Sequence, residues 1–203
     1  MKNSRDIDFL FEIGSLRNVQ RGWRQHMAMD VSNNLEHSFR VVWIAIVLAR
    51  MEKEKGADID ESKIIRMALV HDLAETRTSD LSYVQKNYVT EDEERAGKDL
   101  FFGTSMEDYF SDVLKEYKKR ESAEAKIVKD ADNLDIDVEM KELVERGSKL
   151  SAKSKWQGFR KKVRDEKLYT ESARELWDLI QEVDVDDWHM RANKWVTQPE
   201  AGK

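Results

Sequence analysis

The chain has 203 residues, 37% of them charged, a formal net charge of -6, one proline, 8 glycines and no cysteine. Disulfides and thiolate metal sites are excluded, and the acidic balance argues against nonspecific binding to a nucleic-acid polymer, which rests on a basic surface that neutralises phosphates. With so few turn or strand signals the fold should be all-α around one real core, and no apolar run approaches the ~20 residues needed to cross a bilayer. The first residues carry no signal-peptide apolar segment, so a soluble, cytoplasmic protein without a membrane partner is expected.

In chain order, Asp6 to Leu16 reads as an amphipathic helix with Ile7, Leu10, Phe11 and Ile13 on its apolar side, and Gln20 to Val31 as a loop carrying Trp23. Asn33 with Glu36 three residues on makes a capping-box start for a helix continued by the apolar run from Phe39 to Ala49. His37 lies in its first turn and shares a face with Val41, Ile44 and Leu48, so it points inward. Met51 to Asp60 reads as a polar connection. A second helix starts near Asp60 to Ser62 and runs into His71, which continues the stripe of Ile64, Met67 and Ala68, with Glu75 one turn beyond.

After Asp80 the chain reads as irregular or weakly helical as far as Tyr88, and Thr90 with Glu93 predicts a capping box for a helix running to Phe102. Met106 to Lys119 makes another helix. A long one begins at Ser122, with Ala125, Val128 and Asp132 on one face, and persists to Arg146 before a capping Gly147. Ser148 to Lys167 is strongly basic around Trp156 and Phe159 and reads as a solvated helix face, with Arg160 among its charges. Thr170 or Glu171 starts a last clear helix with Ala173, Leu176, Trp177 and Ile180 on its apolar stripe, and Gln198 to Lys203 reads as a disordered tail. The division expected is a core domain over 1–147, a helical extension packed on it over 148–197, and the tail.

Three helices thus aim His37, His71 and Asp132 at their own apolar sides, and Asp72 adjoins His71. Two imidazoles and two carboxylates are the mixed nitrogen and oxygen ligands that a borderline divalent metal takes, and such a metal can activate water at neutral pH. A lone histidine on an apolar face is more often a hydrogen-bonded core residue, and Glu36 fits a helix-start carboxylate. His26 and His189 lack comparable context. Asp72 is harder to dismiss, because a carboxylate inside a long apolar segment is costly unless it is paired or metal-bound.

The separated His37, the His71-Asp72 doublet and Asp132 resemble the HD-domain metal-dependent phosphohydrolase superfamily. The stretch His71-Asp72-Leu73-Ala74-Glu75 followed by Asp80-Leu81, together with Arg21-Gly22-Trp23, Glu36-His37-Ser38 and Lys129-Asp130-Ala131-Asp132, is similar to the 5′-deoxynucleotidase subgroup over roughly the first 140 residues. The resemblance implies that His37, His71, Asp72 and Asp132 hold one divalent metal, with manganese, cobalt or iron(II) suiting the set better than zinc, nickel or magnesium. It assigns Glu75, beside Asp72, to orienting the nucleophile or moving a proton. Asp80 would accept from a 3′-hydroxyl, and Trp23 would line the deoxyribose pocket. Arg21 is the expected phosphate ligand, with Arg24 as its rival, since Gly22 here separates the arginine from the tryptophan.

The implied reaction is removal of the 5′-phosphate from deoxyribonucleoside 5′-monophosphates, by a chain expected to be a homodimer. The aromatic residues of the second half offer one place for such an interface. The alternatives are a related phosphohydrolase of a triphosphate, alarmone or cyclic dinucleotide, and a noncatalytic nucleotide-binding protein.

Overall fold

In the computed structural model, which describes residues 2–190 together with Trp195 and Val196, helices follow one another with no strand among the described residues. They are α1 (Lys2–Gly14), α2 (Arg24–Met27), α3 (Asn34–Glu54), α4 (Glu61–Val70), α5 (Glu75–Thr78), α6 (Glu93–Phe101), α7 (Glu107–Lys119), α8 (Ala123–Glu145), α9 (Ser154–Glu166), α10 (Glu171–Glu182) and α11 (Asp187–Met190). The all-α expectation holds, and no described helix is long and apolar enough to cross a membrane. The expected tail from Gln198 lies outside the described residues.

The centre of the molecule is the packing of α3, α4 and α8 on one another. Small residues make the close approach possible: Ala45 and Ala49 on α3, Ala68 on α4, and Ala125 and Ala131 on α8 are buried in one cluster with Leu48, Ile64, Met67, Val128 and Leu134. Each large side chain so buried contributes about 1.5–3 kcal/mol relative to exposure. A second cluster joins α1 to α6 and α7, where Phe9 and Phe110 pack on Phe101 with ring centroids 5.3 Å away in each case.

Capping chemistry sets the helix starts. Asn33 accepts from the backbone of Leu35 and Glu36 while Glu36 accepts from Asn33, which is the expected capping box. Asp60, Ser122 and Thr170 cap α4, α8 and α10. Helix α1 runs Lys2–Gly14 rather than the expected Asp6 to Leu16, and three other boundaries differ from the sequence reading. The residue capping α6 is Asp92 rather than Thr90, accepting from Arg95 N at 3.0 Å. The expected connection from Met51 is still helix as far as Glu54, because Met51 packs against the core and the charges of Lys53 and Glu54 can face water; the turn comes at Gly56, with φ +91°. Within the expected loop before Val31, residues Arg24–Met27 form a helical turn.

The C-terminal helices are tied to α8 by polar as well as apolar contacts. Asp130, fully buried, accepts from Tyr169 N, Thr170 N and Thr170 Oγ1, each at 2.8 Å, and so holds the residue that caps α10. Arg160 is an exception to the solvated face expected of its basic stretch. It is buried and makes a two-pronged pair with Asp137, at 2.9 and 2.7 Å, because a buried guanidinium needs a carboxylate of matching geometry.

Candidate metal centre

His37 enters from the first turn of α3, His71 and Asp72 follow directly on the last turn of α4, and Asp132 projects from the middle of α8. The helix packing that buries the alanines therefore also brings these side chains together, and one ligand atom from each of the four lies within 4.8 Å of the others. His37 Nε2 is 3.3 Å from Asp72 Oδ2 and 3.4 Å from Asp132 Oδ1, and His71 Nε2 is 3.3 Å from Asp72 Oδ2.

The outer nitrogen of each imidazole is already committed. His37 Nδ1 lies 2.6 Å from Asp135 Oδ2, and Arg40 donates to the other oxygen of Asp135. His71 Nδ1 is 2.7 Å from the Ala68 carbonyl, to which it donates. Both Nε2 atoms are buried with no hydrogen-bond partner, and both face the two carboxylates. Two lone pairs without partners, aimed at one acidic spot, fit a divalent cation, and the carboxylate and carbonyl behind the rings are the supports such ligands use. The cluster could hold a metal.

The electrostatics follow from crowding. Burial alone would raise Asp132 and Asp72, but Lys129 and His37 hold Asp132 well below the usual carboxylate range, and His71 and His37 do the same for Asp72. Lys129 Nζ donates to Asp132 Oδ2 at 2.6 Å. Burial and Arg21 oppose a proton on His37, yet Asp132, Asp135 and Asp72 raise it well above its ordinary value. Glu75 has no such cation in contact; burial first, then Asp72 and Asp80, push it up to about 10.

Beside the cluster lies a second group. Arg21 is buried, 3.2 Å from Asp80 and 3.7 Å from Asp72, and donates to Asn34 Oδ1 at 3.3 Å. Asn34 Nδ2 donates in turn to Glu75, so its amide bridges the arginine and the glutamate. Gly22 N donates to Asp80 at 3.2 Å. A Cβ on Gly22 would come within 2.5 Å of Ser82 N and 2.8 Å of the Asp80 carbonyl, so only glycine lets these two turns close. Trp23 is half-buried, its ring 5.6 Å from the Arg21 guanidinium and 6.3 Å from Trp156.

Of the residues expected at the site, His37, His71, Asp72 and Asp132 come together, and Arg21, Asp80 and Glu75 adjoin them. Trp23 reaches the group through Arg21. Arg24 turns away to pair with Gln20 and Asp30 at the surface. His26 sits exposed against Tyr83, and His189 by Asp186. Sequence reasoning missed Asn34, Arg40 and Asp135. Asp135, three residues after Asp132 and beside buried Leu134, carried a usable signal: a second carboxylate on an inward-facing stretch needs a partner. Asn34, next to the capping Asn33, carried none.

Residues 13–184 match the HD domain family. The chain belongs to that family. As an HD-domain protein it is a metal-dependent phosphohydrolase, and the match runs well beyond His37, His71, Asp72 and Asp132, through the whole of α10. Among curated relatives it is similar to the 5′-deoxynucleotidase HDDC2 of Dictyostelium discoideum, 28% identical and matched over 77% of this chain and 86% of the relative. A conserved hypothetical protein from Pyrococcus furiosus superposes with a TM-score of 0.73 at 28% identity, covering 87% of this chain and 99% of the other. A Pyrococcus horikoshii protein does so with a TM-score of 0.70 at 27% identity, covering 86% and 96%.

Proposed function

We propose that this HD-domain protein is a 5′-deoxynucleotidase, hydrolysing deoxyribonucleoside 5′-monophosphates to deoxynucleoside and inorganic phosphate. The observation that carries the reading is the convergence of the partnerless His37 and His71 Nε2 atoms on Asp72 and Asp132, with the buried Arg21 guanidinium alongside. Relatives named as 5′-deoxynucleotidases support the choice of substrate. His37, His71, Asp72 and Asp132 would hold one divalent metal, manganese, cobalt or iron(II) before zinc, nickel or magnesium. When bound, it would supply positive charge to the phosphate oxygens and make water more acidic.

The chain's own residues do the rest. A phosphate monoester dianion repels an incoming nucleophile, and Arg21, with its Nε buried and without a partner, neutralises that charge. Glu75, fixed by Asn34 and carrying its own proton at neutral pH, orients the attacking water and can pass a proton to the departing 5′-oxygen. Attack in line with the P–O5′ bond expels the 5′-oxygen, so no covalent enzyme intermediate is needed. Asp80 accepts from the 3′-hydroxyl, and the Trp23 ring crowds the sugar where a ribonucleotide carries its 2′-hydroxyl.

The test is phosphate release from deoxyribonucleoside and ribonucleoside 5′-monophosphates by chelator-stripped protein resupplied with manganese, cobalt, magnesium or zinc. Metal-dependent release confined largely to the deoxy series is expected. Silence across the panel with metal demonstrably bound would reject this substrate class.

A further inference from the structure

In the stretch Lys129-Asp130-Ala131-Asp132, Asp130 anchors α10, Ala131 packs in the core and Asp132 faces the histidines, which leaves Lys129 without a task of its own. Its Nζ donates to Asp132 Oδ2 at 2.6 Å, while Asp132 Oδ1 lies 3.4 Å from His37 Nε2. One oxygen of this carboxylate therefore faces the cluster and the other faces the ammonium. Asp72 has a cation of its own in Arg21, 3.7 Å away. Each carboxylate of the cluster thus has one cation beside it, Arg21 from the turn leading into α2 and Lys129 from α8.

Lys129 also stands where the cluster meets solvent. The His37 and His71 side chains are fully buried, yet the lysine side chain that ends against the same group keeps 36% of its surface exposed. Arg120, just past the end of α7, lies close enough to oppose the charge on Lys129. Its guanidinium is stacked on the buried Tyr117 ring, 3.2 Å from the centroid, and has no carboxylate partner among the described residues. This edge of the centre is therefore rich in positive charge.

We infer that Lys129 is a second phosphate-binding residue, which takes an oxygen of the substrate's phosphoryl group from the α8 side while Arg21 takes another. The inference deepens the reaction proposed above and rests on it only as far as the phosphate; no feature of the sugar or base enters. Charge supplies the reason. Asp72, Asp80 and Asp132 bring three negative charges to the centre, and Glu75 adds none because it keeps its proton at neutral pH. A divalent cation and Arg21 together would only cancel those three, leaving nothing to draw in a phosphate dianion. Lys129 turns the balance positive. Arg21 moreover spends part of its fork on Asp80 and Asn34, whereas Lys129 donates once and has two further N–H groups on a flexible stem.

The test uses inorganic phosphate as the probe, titrated calorimetrically into the full chain saturated with manganese. Lys129→Gln should weaken phosphate binding about 10- to 100-fold, the loss of one charge-assisted hydrogen bond, and Lys129→Arg, which keeps the charge, should recover most of it. Manganese affinity, titrated separately into stripped protein, should hold or rise in Lys129→Gln because a like charge has left the ligands' neighbourhood; a lysine that only propped Asp132 would lower it. A second measurement needs no variant. With manganese present, phosphate should slow acetylation of Lys129 by acetic anhydride, read by peptide mass spectrometry, and leave exposed Lys161 on α9 unaffected. Phosphate affinity unchanged in Lys129→Gln would overturn the inference, as would a Lys129 acetylated equally fast with phosphate bound. So would a manganese-saturated parent that takes up no phosphate. Phosphate binding that depends on Lys129, in a protein silent towards deoxynucleotides, would uphold the inference while rejecting that substrate.

Discussion

On one side of the centre, His37, His71 and Asp132 stand on or just after long helices whose packing is settled by alanines and leucines far from any substrate. On the other, Arg21, Gly22 and Asp80 lie in turns that find each other across 58 residues of sequence through one backbone hydrogen bond and one ion pair. The helical side owes its geometry to burial, which is insensitive to any single polar contact. The turn side owes its geometry to a close backbone approach that one methyl group would prevent. Substitutions on the helical side should therefore remove chemistry and spare the fold, whereas on the turn side they should disturb both.

The largest effect is expected at Asp72, which faces both imidazoles. Asp72→Ala should lower kcat/KM by on the order of 10⁴-fold, equivalent to several kcal/mol of charge stabilisation, with helicity kept. Loss of folding instead would make the helical side as fragile as the other. Gly22→Ala should separate the Asp80–Ser82 backbone from Arg21, costing about 1–3 kcal/mol of stability and about 100-fold in turnover through misplacement of the guanidinium. Unchanged melting and turnover would show that the turns have room to spare. Asp135→Asn, behind His37, should weaken metal affinity about 10- to 100-fold in a calorimetric titration while leaving KM for substrate close to that of the parent. A change in KM alone would move Asp135 from support of the ligand to support of the pocket.

The smallest effect concerns pH. A histidine raised above its unfolded value of about 6.5 contributes stability that is fully present below that pH and is lost as pH rises through the raised value. Metal-stripped protein should thus melt lower at about pH 9 than at about pH 6. Metal-loaded protein should show the opposite trend, since a cation needs His37 without that proton. The crossover should amount to roughly 1 kcal/mol, or about 2–4 °C in Tm. Parallel melting curves would remove His37 from the metal ligands.

Legibility in the sequence follows the same division. His37 and Asp132 were visible because a helical period of 3.6 puts them on stripes otherwise filled by valine, leucine and alanine, and the Asn33–Glu36 box announced where α3 begins. The choice between Arg21 and Arg24 was not visible, since both flank Gly22 and Trp23 and only the arrival of Asp80 from a distant turn draws one inward. Thr90 and Asp92 each satisfied a local capping rule, and nothing within four residues decided between them. Arg160 looked like its basic neighbours because its partner, Asp137, comes from another helix.

Helix α8 has a further consequence. Along eight residues, roughly 10 Å of its axis, four aspartates reach in different directions. Asp130 holds the start of α10, Asp132 faces the two histidines, Asp135 holds His37 and Arg40 of α3, and Asp137 holds Arg160 of α9. A slip of this helix by a single residue would unseat all four at once, leaving buried carboxylates bare. The helix therefore has one permitted register and acts as a key cut to fit several locks, so the C-terminal helices and the catalytic centre should melt in one cooperative step.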